Sequence, residues 1–167
     1  MKSCLTFIFC IYILCSCSTT TYYVVRHAEK TANDCTTPLA PLGFQRAEAL
    51  KDSLLPKHVD SIFASTCLRT QQTAQPLATA LGISIITVEP TTAGTDILIS
   101  RLNKIRGKKV LIVGHTNTVP AIILGLSGQT IAPIADTDFD NLFIVRIRRF
   151  FGTTKTLVHT TYGVITN

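Results

Sequence analysis

Short apolar runs alternate with longer amphipathic stretches along this chain. Tyr22-Tyr23-Val24-Val25, Ser61-Ile62-Phe63-Ala64, Ile83-Ser84-Ile85-Ile86-Thr87-Val88 and Val110-Leu111-Ile112-Val113 are rich in β-branched and aromatic residues, and each predicts a strand. The stretches between them place apolar residues three or four apart, which is helical spacing. The first carries Leu42, Ala47, Leu50 and Leu54 behind Pro41. A second helix is expected over 67–81, with Pro76 kinking or dividing it and Gly82 ending it. A third is expected over 95–105 and a fourth over 117–125, where Pro120 falls in a first turn that tolerates it. Residues 142–148 and 155–161 predict a terminal hairpin around Phe151-Gly152-Thr153. Repetition of strand, helix, strand predicts an α/β fold: three layers, with a mostly parallel, doubly wound sheet, helices on both faces and right-handed crossovers.

Composition changes this picture chiefly at the start of the chain. The 167 residues, 46% of them hydrophobic, suit one domain with a sizeable core. Lys2 followed by the apolar run from Leu5 to Leu14 is too short for a comfortable membrane span but has the form of a signal-peptide core. Leu14-Cys15-Ser16-Cys17 then resembles a bacterial lipobox. The expected organisation is a lipoprotein signal peptide over 1–16, a short tether over 17–21 with Cys17 lipidated, and a folded domain over 22–167. That makes the protein an exported bacterial lipoprotein, anchored to a membrane on its periplasmic or cell-surface face. The plainer alternatives are a signal peptide with incidental cysteines, or a start codon placed too early.

Four of the six cysteines lie in this leader, so the total defines no disulfide framework. Cys35 and Cys67 are expected as two unpaired, partly buried thiols, with pairing in an oxidising compartment as the alternative. No cysteine or histidine spacing in the domain suits a structural metal, and none is expected. The formal charge of +6 is scattered, apart from Lys108-Lys109 and Arg146-x-Arg148-Arg149. Such clusters are first a solvated surface, and second an attraction for anionic substrates or lipid headgroups. With only 7% aromatic residues, no nucleic-acid partner is expected. Asp136, Asp138 and Asp140 lie close together, but their spacing lacks the glycine and glutamate of a calcium loop and predicts a solvated turn.

Candidate chemistry gathers at the strand ends. Arg26-His27 follows the first strand, Arg69 opens the helix after the second, and Gly114-His115 closes the fourth. In a parallel sheet the carboxyl ends of the strands face one crevice, so these residues are expected to share a site. A neutral imidazole held in one tautomer can attack phosphorus, and guanidinium groups hold two phosphoryl oxygens at once.

Arg26-His27, the Ser-x-x-x-Arg-x-x-Gln-Thr-Ala pattern from Ser65 to Ala74, and Val113-Gly114-His115-Thr116-Asn117 resemble the motifs of the histidine phosphatase superfamily in its phosphoglycerate-mutase-like branch. Ala28 stands where that family most often has glycine, and Arg26-His27-Ala28-Glu29-Lys30 is most similar to its small, capless members. The resemblance implies a metal-independent phosphatase without cofactor. In it His27 is the nucleophile, Arg26 and Arg69 hold the phosphate, and a positively charged His115 donates to the same group. It also implies a carboxylate that protonates the leaving group, for which Glu89 is the first candidate, Asp96 the second and Glu29 the third. Should no carboxylate serve, substrates with good leaving groups such as phosphohistidine are favoured. The expected partner is a small phosphorylated molecule or a phosphoprotein. The alternatives are a mutase-type phosphotransferase, a noncatalytic phosphate-binding lipoprotein and a metal-dependent hydrolase. The brief linker between Glu89 and Asp96 leaves the site uncovered, which favours hydrolysis over transfer.

Overall fold

The computed structural model describes residues 18–166. Six strands form one sheet, β1 (Ser18–Arg26), β2 (Ser61–Ser65), β3 (Ile85–Val88), β4 (Lys109–Gly114), β5 (Asn141–Phe150) and β6 (Gly152–Thr161), in the order β3-β2-β4-β1-β5-β6. The first four in that order run parallel, while β5 and β6 continue the sheet antiparallel. The mostly parallel α/β architecture expected from the hydrophobic pattern is therefore what the chain adopts.

Strand residues of alternate parity feed two cores, as the two-residue period of a strand requires. Tyr22, Val24, Val110 and Ile112 face the layer of α3 (Thr92–Leu102) and α4 (Thr118–Ser127), meeting Leu98, Leu102, Ile122 and Ile123. Tyr23, Val25, Leu111 and Val113 face α1 (Pro41–Leu54) and α2 (Leu68–Leu81), meeting Leu50, Leu54, Ala74 and Leu77. Burial on both faces explains why β1 and β4 read as unbroken apolar runs.

Several boundaries differ from expectation. β1 begins at Ser18, where Ser18 pairs with Arg149 of β5, so residues 18–21 are strand rather than tether. Their Ser-Thr-Thr-Thr sequence offers no apolar signal, but Thr20 is fully buried and its hydroxyl bonds the Ile105 carbonyl and the Gly107 amide. The proposed leader over 1–16 and Cys17 lie outside the described residues. α2 continues as one helix through Pro76, because Thr73, Ala74, Leu77 and Ala78 anchor the turns on both sides of it. α3 begins at Thr92, three residues early, because the Thr91 hydroxyl caps it by accepting from the Gly94 amide at 3.0 Å. The terminal hairpin is present and longer than expected.

Candidate active site

Register brings the chemistry together. Arg26 pairs with Gly114, Ala64 with Val113, and Ser65 with Val88, so the residues just past the ends of β1, β2, β3 and β4 open into one cleft of about 580 Å³. His27, Lys30, Asn33, Arg69, His115, Thr116 and Asn117 line it. Thr116 and Asn117 lead into the N-terminus of α4, whose dipole presents partial positive charge there.

His27 is 2% exposed. Its Nδ1 lies 2.8 Å from the Ala28 carbonyl oxygen. A carbonyl only accepts, so Nδ1 carries the ring proton and Nε2 keeps its lone pair. Burial, with smaller contributions from His115, Arg26 and Arg69, lowers the ring's pKa to about 3, so the imidazole is neutral at pH 7.

The second imidazole departs from expectation. His115 Nε2 sits 2.8 Å from the Ser65 hydroxyl and Nδ1 lies 3.2 Å from Arg69 Nη2. Because a guanidinium only donates, Nδ1 accepts and Nε2 donates its proton to Ser65. Burial, then the charges of Arg69, Lys30 and Arg26, lower the His115 pKa to about 4. The ring is thus neutral in this structure rather than positively charged. The two imidazoles are edge to face, 5.3 Å between centroids.

The guanidiniums are held differently. Arg69 donates to the Asp34 carbonyl at 2.5 Å as well as to His115, and its Nε is buried without a protein partner among the described residues. Arg26 lies behind the cleft wall, 1% exposed, with Nη1 collared by the carbonyls of Ala135, Asp136 and Asp138 at 2.7 to 3.2 Å. Its face stacks on Phe139 at 4.4 Å, and its Nε also lacks a protein partner. The turn holding Asp136, Asp138 and Asp140 is therefore more than a solvated surface loop: its backbone fixes Arg26.

The three candidate carboxylates fare unequally. Glu89 is exposed at the end of β3 and accepts from the Thr66 hydroxyl at 3.4 Å. It lines a small cavity of about 20 Å³ beside Ser65 and His115, not the wall of the larger cleft. Glu29 is consumed by Arg46, which grips both its oxygens at 2.7 to 2.9 Å while donating to the Tyr162 and Val164 carbonyls. Asp96 is exposed on α3 and lines neither space. Among the described residues no carboxylate side chain lines the cleft.

Supporting residues escaped the sequence reading. Ser65 orients His115 and shares a 2.7 Å hydrogen bond with Thr70. One turn on from Arg69, the Thr73 hydroxyl accepts from the Ala28 amide, and the Gln72 side chain accepts from the Leu39 amide. Helical spacing puts these residues on the inner side of α2, and the Ser-x-x-x-Arg-x-x-Gln-Thr pattern was the signal that could have revealed them. Cys35 and Cys67, expected as free thiols, form a disulfide with Cα atoms 4.5 Å apart. The loop over 31–40 folds across the start of α2, where the Leu68 amide donates to the Cys35 carbonyl at 2.9 Å, and this crossing brings the two sulfurs together.

A parallel sheet whose strand ends converge buried imidazoles and guanidiniums defines the class of site that its motifs resemble. Residues 22–91 match the sequence model of the histidine phosphatase superfamily (branch 1), a segment holding Arg26, His27 and Arg69. The recognition made from the motifs is borne out. No curated protein sequence matches the chain. Among solved structures, SixA of Nakamurella multipartitia is 22% identical, with 87% of this chain and 98% of that one covered at a TM-score of 0.63. The protein histidine phosphatase SixA bound to tungstate is 20% identical, with coverages of 84% and 96% and a TM-score of 0.63. A mycobacterial glucosyl-3-phosphoglycerate phosphatase with inorganic phosphate is 14% identical, with 83% and 95% covered at 0.63. At these identities the likeness establishes a shared fold.

Proposed function

We propose that this protein is a phosphatase that hydrolyses a phosphate monoester or phosphoramidate through a covalent phosphohistidine on His27. The observation that carries the reading is the hydrogen bond from His27 Nδ1 to the Ala28 carbonyl, which leaves a neutral Nε2 facing the cleft. Attack by that nitrogen forms a phosphorus–nitrogen bond as the bond to the leaving group breaks, and the leaving group departs with the electron pair. Water then attacks phosphorus as the phosphorus–nitrogen bond breaks and its electron pair returns to Nε2, and the proton that the water loses passes to solvent in the open cleft. Arg69, Arg26 and the amides leading into α4 neutralise the phosphoryl charge through both steps. Arg69 lines the cleft with an Nε donor that no protein acceptor meets among the described residues, which favours occupation by an anion. A phosphate dianion beside His115 raises that ring's pKa, so the histidine charges on binding and becomes a donor to it.

Among the described residues no carboxylate lines the cleft, which favours substrates whose leaving group needs little protonation, such as phosphoramidates and aryl phosphates. Solved structures of the same fold include a protein histidine phosphatase and a phosphatase of a small phosphorylated sugar acid, so both a phosphoprotein and a small metabolite fit the class. The open cleft supports hydrolysis over mutase-type transfer. Export is part of the proposal: the Cys35–Cys67 disulfide suits an oxidising compartment, in agreement with the lipobox-like Leu14-Cys15-Ser16-Cys17.

Hydrolysis of an aryl phosphate by wild type and His27→Ala, each with and without a chelator, tests the reading. The expected result is a loss on the order of 10⁴-fold or more in the variant, indifference to chelator, and acid-labile protein-bound phosphate in wild type alone. Equal activity in the two proteins would refute the nucleophile, and loss with chelator would favour a metal-dependent hydrolase.

A further inference from the structure

The end of the molecule opposite the cleft carries an apolar and basic surface that the phosphatase reading does not use. At the apex of the β5–β6 hairpin Phe151 is 89% exposed and holds a φ of 51°, a left-handed conformation that favours glycine. Phe150, 45% exposed, meets it edge to face at 4.5 Å, and Arg148 lies over the Phe150 ring. A strained apex keeping two phenyl rings in water gains nothing from the fold's own core. Basic residues surround it: Arg148 and Arg149 on β5, Lys155 on β6, and Arg106 and Lys108 in the turn before β4. Burial, and then like-charge repulsion from the nearby Arg106, lower the pKa of Arg149, whose Nη1 is buried without a partner among the described residues. Asp60 also lies at this end, and Lys108 engages it at 3.0 Å.

Chain direction adds an independent observation. Ser18 pairs with Arg149, so the chain enters the domain at the hairpin tip. The sequence just before it contains Cys17 and the apolar run from Leu5 to Leu14. We propose that this end docks on an anionic lipid membrane, with Phe150 and Phe151 at the headgroup boundary and the basic residues on the lipid phosphates. Aromatic rings favour that boundary, and basic side chains are drawn to anionic headgroups. The occupant is a lipid surface rather than a soluble anion because rings and charges share one tip. Docked this way, the cleft faces away from the membrane at about one strand length, roughly 30 Å for the nine residues of β1, open to aqueous substrates. The proposal stands apart from the phosphatase reading, because neither needs the other.

The chain has no tryptophan, so a single one is a clean reporter. Full-length Phe151→Trp and Phe44→Trp, the latter on exposed α1 near the cleft end, would be mixed with phosphatidylcholine vesicles with and without phosphatidylglycerol and carrying brominated acyl chains. Blue-shifted, bromine-quenched emission is expected from Phe151→Trp on anionic vesicles and not from Phe44→Trp. Each basic residue near an anionic surface contributes about fivefold in partitioning, so adding Arg148→Glu and Lys155→Glu should weaken vesicle binding about 25-fold or more without changing the circular dichroism spectrum. Absence of quenching at position 151, with or without vesicle binding, overturns the proposal. So does equal quenching of both reporters, or an emission shift that grows with protein concentration without lipid, which would instead mark self-association.

Discussion

A single hydrogen bond decides what His27 can do. Because its Nδ1 proton is committed to the Ala28 carbonyl, the ring faces the cleft with a lone pair, and burial keeps that lone pair free of a proton at neutral pH. His115 has the same neutrality but the opposite arrangement, with Nδ1 accepting from Arg69 and Nε2 donating to Ser65. Two histidines in one cleft are thereby given distinct roles by their backbone and hydroxyl partners. Glu89 is the residue whose role separates substrates. Held 3.4 Å from the Thr66 hydroxyl and beside rather than on the cleft wall, it can reach a poor leaving group only by reorienting. For an alkyl phosphate, Glu89→Gln is expected to lower kcat by about 10²-fold if it serves as general acid. For phosphoramidate or an aryl phosphate the same change should leave kcat within about twofold. The measurement is kcat across a series of leaving-group pKa values, where the variant should show the steeper dependence. Parallel losses across the series would show that Glu89 only shapes the site.

At the scale of elements, the site depends on a loop stapled to a helix. The loop over 31–40 supplies Asn33 to the cleft and the Asp34 carbonyl to Arg69, and it is tied to α2 through Cys35–Cys67, the Leu68 amide and Gln72. Cys35 and Cys67 are 32 residues apart, and closing a loop of that length stabilises the fold by about 3–4 kcal/mol in the chain-entropy account. Reduction, or Cys35→Ser with Cys67→Ser, is expected to lower the denaturation midpoint accordingly and to raise KM several-fold, with kcat less affected because His27 stays tied to β1 and Ala28. Denaturant unfolding and steady-state kinetics on the same preparations check both. This staple was not legible in the sequence, because pairing depends on a polar loop crossing a helix start, and nothing in the spacing of residues 31–40 specifies where that loop lies. Arg26, His27, Arg69 and His115 were legible for the opposite reason: each follows an apolar strand, and a parallel sheet aligns strand ends. Residues 18–21 fell between these cases, since a strand of threonines carries no hydrophobic alternation and is revealed only by pairing with β5. The place of Arg26 at the end of β1 was legible but not its burial in a collar of three carbonyls, because that collar comes from a turn 109 to 112 residues away.

For the whole molecule, gathering cations and imidazoles at one end of the sheet has a consequence for stability. His27 and His115 are held neutral with pKa values of about 3 and about 4, against about 6.5 for an imidazole in the unfolded chain. Between those values the unfolded state binds more protons than the native one, so stability rises with pH across the window. The contribution is fully present above pH 6.5 and is lost as pH falls from there towards 4, with a limiting slope of about 1.4 kcal/mol per pH unit for each histidine. Asp34, Asp60 and Asp140 have pKa values shifted down rather than up, so their stabilisation is lost only below the ordinary carboxylate range. The two sets of groups therefore separate on the pH axis. Denaturation midpoints at pH 7.5, 6.5, 5.5 and 4.5 are expected to fall steadily below 6.5 in wild type and less steeply in His115→Asn, which keeps a polar ring-sized group but cannot titrate. The same slope in both would mean that His115 does not take up a proton on unfolding, and that burial and the cations packed around it do not lower its pKa.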